Sequence, residues 1–138
     1  MLDLNTSKGT HIAERLRTEP IIWLSTTRPD GRPHLVPVWF LWEDQTMLIF
    51  SKPDNQKIRN LRHNPSVMLA LEAADQGEDV VLLEGRATLL DEPTSTLMSA
   101  AYVEKYAKLI ARMQWKPEEM AAEYSQAIRV DLTRLISW

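Results

Sequence analysis

Short β-rich segments, each ended by turn residues, recur along most of this chain, and their spacing limits the fold more than any other feature. IIWLSTT (residues 21–27) is dense in β-branched and aromatic side chains, which suit a pleated, half-buried surface. RPDGRP follows, where Asp30-Gly31 is a strong hairpin signal because glycine accepts a positive φ without steric cost. HLVPVWFLW (residues 34–42) reads as the returning strand, EDQT turns again, and MLIFS (residues 47–51) is the third strand. SVMLALE, VVLLEGRATLL (residues 80–90) and AIRVDLTRLISW supply three more. Six strands joined mainly by short turns expose edges of unpaired N–H and C=O groups, and closure into an antiparallel barrel removes them. The expected class is therefore mainly β with helices, built as a six-stranded antiparallel barrel. An open sheet backed by the longest helix is the competing architecture. Pro37 cannot donate to a ladder, so it marks an edge, a bulge or a place facing a ligand. Gly85 marks a bulge or bend.

The helices are fewer. SKGTHIAERLR (residues 7–17) spaces Ile12 and Leu16 four apart and ends before Pro20. QKIRNLRHN has Ile58 and Leu61 on one side, with Asn55 as N-cap and Asn64-Pro65 as stop. Residues 93–113 have helical character, and KPEEMAAEYS opens another short helix with Pro117 near its first position.

With 138 residues, 44% hydrophobic and 25% charged, the chain suits one globular domain, residues 1–138, rather than two or a disordered tract. A net charge of −3 creates no general attraction for nucleic acid, so positive charge matters only where it clusters. Cysteine is absent, which removes thiolate nucleophiles and cysteine zinc sites and fits a cytoplasmic chain. No basic-then-apolar leader opens it, and no apolar run approaches the roughly 18 residues of a membrane span. A soluble, cytoplasmic domain without nucleic-acid or membrane partners is the expectation. His11, His34 and His63 are too scattered for a metal motif, so structural roles are expected and no metal site. No serine lies in a nucleophile elbow.

The segment SKPDNQKIRNLRHNP (residues 51–65) is too long and too basic for a simple turn. A strand ends at Ser51, the chain turns through Lys52, Pro53 and Asp54, and a helix begins near Asn55. Unpaired N–H groups at a helix start carry a partial positive charge. Ser51, Lys52 and Lys57 around such an end make a local site for a phosphate or carboxylate. The alternative is that Lys52, Lys57, Arg59 and Arg62 are solvated helix-face charges.

The run WLSTTRPDGRPHLVPVWFLWEDQTMLIFSKPDNQKIRNLRHNPSVMLALE, followed by VVLLEGRATLL, resembles the flavin-reductase-like split β-barrel family. That family holds the pyridoxamine 5′-phosphate oxidases and oxidoreductases dependent on the deazaflavin coenzyme F420. The likeness covers roughly residues 20 to 90, and the tail WKPEEMAAEYSQAIRVDLTRLISW is similar to an F420-dependent subgroup. The resemblance implies a split barrel of the FMN-binding type, and a cofactor phosphate held by Ser51, Lys52, Asn55, Gln56 and Lys57. It also implies Val36, Pro37, Val38 and Trp39 along the cofactor ring, and a homodimer with each cofactor between two subunits. The implied activity is hydride transfer to a small organic substrate by F420, or alternatively FMN, with no catalytic side chain nominated. True pyridoxamine phosphate oxidases carry an Arg and a Lys where this chain has Leu35 and Phe40, which argues against vitamin B6 oxidation. Trp23, Trp39, Phe40 and Trp42 suggest an apolar, aromatic pocket, and Trp115 is placed to reach it. A non-catalytic flavin, deazaflavin or haem binder is the alternative from another class.

Overall fold

The structure, a computed structural model, describes residues 3–138. Helix α1 (Ser7–Thr18) precedes strands β1 (Ile22–Thr27), β2 (Pro33–Val38), β3 (Leu41–Glu43) and β4 (Thr46–Ser51). Helix α2 (Gln56–His63) leads to β5 (Ser66–Leu71) and the long β6 (Val81–Pro93). Helices α3 (Thr94–Leu97), α4 (Ala100–Arg112) and α5 (Pro117–Glu123) then precede β7 (Gln126–Ser137). The strands form one antiparallel sheet in the order β2-β1-β5-β6-β7-β4-β3. No helix among the described residues is long and apolar enough to cross a membrane.

Seven strands form rather than the expected six, and the hydrogen-bonded ring is not closed, because β2 and β3 are separate edges. The difference arises at Trp39-Phe40. Residues 34–42 do not run as one strand: β2 pairs with β1, β3 pairs with β4, and the chain passes from one edge to the other between them. The cause lies in α4. The Phe40 N–H donates to the Tyr106 hydroxyl at 2.8 Å, and Lys105 Nζ donates to the Phe40 carbonyl at 2.8 Å. With its one N–H taken by a side chain, Phe40 has no donor left for a ladder. Edges joined by so short a connection also require the sheet to curl.

Curling separates two cores. Inside the sheet lie Ile22, Leu24, Phe40, Ile49, Leu83 and Val130, joined by Ile58 and Leu61 of α2. Against the opposite face of β4 and β7, helices α4 and α5 bury Phe50, Tyr102, Tyr106, Ile110, Met120 and Ala127. Local expectations hold at several points. Gly31 turns the β1–β2 hairpin at φ 89°, Pro37 sits on edge strand β2, and the β6–β7 register shifts at Glu84/Gly85. At Gly85 an added Cβ meets Val130 Cγ1 at 2.6 Å and the Asp131 carbonyl at 2.9 Å, so the close approach requires glycine. The helical segment 93–113 is two helices, because Ser99 caps α4 through its hydroxyl and the Tyr102 N–H. Asn55 occupies the α2 N-cap position, but its side chain makes no capping bond.

Candidate functional site

A cavity of about 340 Å³ opens between the end of β2 and helices α4 and α5. Pro37, Val38 and Trp39 form one wall, with Ile21 and Phe50 beside them. Tyr102, Met113, Trp115, Met120 and Tyr124 form the other. These aromatic rings brace each other. Trp39 stacks flat on Tyr106 with centroids 4.3 Å apart, Tyr102 meets Phe50 edge-on at 4.9 Å, and Trp115 lies 5.9 Å from Tyr124. Apolar walls of this kind suit a flat organic molecule.

Lys57 supplies the charge in this lining. The inward side of α2 carries Lys57, Ile58, Asn60 and Leu61, so the packing that buries the two aliphatic residues takes Lys57 in with them. Only 9% of Lys57 is exposed, and no hydrogen bond or ion pair joins its ammonium to another described residue. Burial holds its pKa below the ordinary lysine value. A buried cation without a counter-ion is costly, and a bound anion removes that cost.

The structure redistributes the rest of the expected cradle. Ser51 is fully buried, with its hydroxyl donating to the Lys52 carbonyl at 2.9 Å. Lys52 points to α5, where it pairs with Glu123 at 3.1 Å. Gln56 donates to Asn60 Oδ1 at 2.7 Å and accepts from Arg59 at 2.6 Å. Asn55 remains at the helix start. Arg62 is exposed, and Arg59 is tied to the Asp54 carbonyl, so these cations face outward. Along β2, Pro37, Val38 and Trp39 reach the cavity, whereas Val36 packs against the core inside the sheet.

Of the four aromatic residues expected near the pocket, only Trp39 lines it. Phe40 is fully buried, Trp42 packs on the core inside the sheet, and Trp23 hydrogen-bonds Glu72 on the outer side. Trp115 does line the cavity. Tyr102, Met113, Met120 and Tyr124 escaped sequence reading, since helical spacing marks buried positions without saying which border a void.

An antiparallel sheet curled around its own core, with a helix-covered aromatic cavity and a buried lysine, defines a mainly β protein with an apolar cavity. The chain belongs to the pyridoxamine 5′-phosphate oxidase family, whose model matches residues 9–138. Similar solved structures include the conserved hypothetical protein Rv2991 from Mycobacterium tuberculosis, 27% identical, covering 94% of this chain and 82% of that one, with a TM-score of 0.75. An F420 reductase is 26% identical over 89% of this chain and 94% of its own, with a TM-score of 0.66. HutZ, the haem storage protein from Vibrio cholerae, shares the fold at 16% identity, covering 99% of this chain and 95% of its own, with a TM-score of 0.68. No curated protein matches the sequence.

Proposed function

We propose that this chain is a cytoplasmic oxidoreductase that binds a flavin-type cofactor in the aromatic cavity, coenzyme F420 in preference to FMN, with the cofactor's phosphate held by Lys57. The observation that carries this reading is Lys57 itself, buried and unpartnered at an apolar cavity. Family membership and the likeness to an F420 reductase support it. When bound, such a cofactor supplies hydride transfer; the protein positions it and excludes water. Pro37 has no N–H to leave unpaired against a ring, and Trp39 is held in place by Tyr106. The positions that separate this chain from vitamin B6 oxidation hold Leu35, 59% exposed, and Phe40, sealed in the core. Neither offers a cation to a substrate phosphate. The homodimer expectation finds support on the outer sheet face. Exposed Leu35 and Pro37 lie beside half-buried Trp23, Met68 and Leu82 in register, an apolar surface that a second copy would cover.

The test is a fluorescence titration with F420 and, separately, FMN, repeated on Lys57→Ala, with sedimentation of the same samples for the dimer. One cofactor should bind at micromolar concentration or tighter, and the variant should lose about 1.5–3 kcal/mol, roughly 10- to 150-fold. Binding of neither cofactor refutes the reading. Unchanged affinity in Lys57→Ala removes Lys57 as the phosphate ligand. A non-catalytic carrier is the second reading, favoured by a cavity lining in which only lysine and tyrosine titrate. Turnover with reduced cofactor separates the two.

A further inference from the structure

Two more unpaired polar atoms lie on the β1–β2 hairpin, to which α2 is tied through Asn60 and Thr26. His34 on β2 lies directly across from Thr26 on β1, and the Thr26 hydroxyl accepts from Asn60 Nδ2 at 2.9 Å. Asn60 and Lys57 are one helical turn apart on the inward side of α2. Arg28 follows Thr26 by two residues, and its N–H still bonds the Arg32 carbonyl at 2.8 Å, so it continues the same face of the hairpin. Among the described residues, Arg28 Nε and His34 Nδ1 are buried without a hydrogen-bond partner. Burial first, and then the charges of Arg28 and Lys57, hold the His34 imidazole below its ordinary pKa. Both of those charges are positive. Asp30, which senses Arg28, is exposed and held by Arg32 Nε at 2.8 Å. Two cations and an imidazole, two of the three with orphaned atoms, therefore share one region with no carboxylate bound to them.

We infer that Arg28, His34 and Lys57 form the anion-binding end of the site, where a phosphate or carboxylate group of the ligand accepts hydrogen bonds from all three. This inference rests on the cofactor reading and deepens it. It moves the anion from the Ser51–Gln56 loop, where the Ser51, Lys52 and Gln56 side chains are engaged within the chain, to the inner face of the β1–β2 hairpin. It also makes binding depend on pH. The Arg28 guanidinium and the Lys57 ammonium are the charged groups that act on the imidazole, and Thr26 and Asn60 carry no ionisable group. His34 is therefore the group that changes. Held below its ordinary pKa in the free protein, it takes up a proton more readily when an anion arrives, so affinity rises as pH falls through its titration.

Phosphate monoesters themselves gain a proton near pH 6, so sulfate, divalent throughout, isolates the contribution of His34. The experiment follows the imidazole NMR signals of the whole protein from pH 5 to 8 in sodium sulfate and in sodium chloride at equal ionic strength. His34 is assigned by the signal lost in His34→Gln. Sulfate should move the His34 midpoint up by about one pH unit, and this effect should be lost in Arg28→Met. An unchanged His34 midpoint overturns the inference, and so does an effect that survives in Arg28→Met. The readout needs no cofactor. A sulfate-dependent His34 in a protein that binds neither F420 nor FMN upholds the anion site and refutes the cofactor reading. Cofactor binding weakened by Lys57→Ala but indifferent to Arg28→Met and His34→Gln refutes this inference alone.

Discussion

Replacing Tyr106 by Phe removes one oxygen from the junction that splits the expected second strand in two. That oxygen accepts the Phe40 N–H at 2.8 Å and lies 2.8 Å from the Pro20 carbonyl, to which its proton can be donated. Tyr106 is fully buried, so water does not reach the groups left behind. An orphaned buried N–H costs about 1–3 kcal/mol, and the lost bond to Pro20 about 1 more. The ring stays, and with it the stacking on Trp39, so the hydroxyl alone is tested. A loss of about 2–4 kcal/mol is expected. Urea denaturation at fixed protein concentration measures it as a lower midpoint with an unchanged slope, because the surface exposed on unfolding is the same. A loss below about 0.5 kcal/mol would mean that Phe40 has another partner, and the account of the strand break would fail. Because Phe40 adjoins Trp39, the same variant should also weaken any ligand of the cavity.

Burial pulls the Lys105 ammonium down to about 8, against a smaller opposing pull from Glu19. Above that pH the native state has lost a proton that the unfolded chain keeps until roughly 10.4, so stability should rise with pH across this window, by about 1–2 kcal/mol after allowance for solvent. Lys105→Met should reduce the rise, and an equal rise in urea midpoint for both proteins across pH 7.5, 9 and 10 would refute the assignment. Gly85→Ala places a methyl group against fully buried Val130 and the β7 backbone, neither able to withdraw. It should cost about 1–3 kcal/mol in thermal unfolding, and a cost near zero would show that the bulge opens freely.

Features governed by a few neighbouring residues were legible in the sequence. Gly31 marks a turn that needs positive φ, Pro37 an edge, Gly85 a bulge, and Pro117 a helix start. Each follows from the conformational limits of one residue, which the chain carries wherever it goes. The break at Trp39-Phe40 was not legible, because its cause, Tyr106, lies 66 residues away. Nothing in the alternation of residues 34–42 distinguishes a strand that continues from one whose backbone is taken by a distant helix.

The basic segment divides in the same way. Its composition announced a possible anion site and its spacing a short helix, but every cation there reads alike in sequence. The tertiary structure took Lys57 inside without a partner, paired Lys52 with Glu123, and left Arg62 in solvent. It also placed Arg28 and Lys57 where both charges act on His34, and closed the cavity with α4 and α5. By itself the sequence determined where the hairpin turn, the bulge and the helix starts fall and what charge each segment carries, because turn geometry and helical period act within a few residues. Only the tertiary structure decided which of those charges lost their water, because desolvation depends on neighbours that the chain brings together from afar.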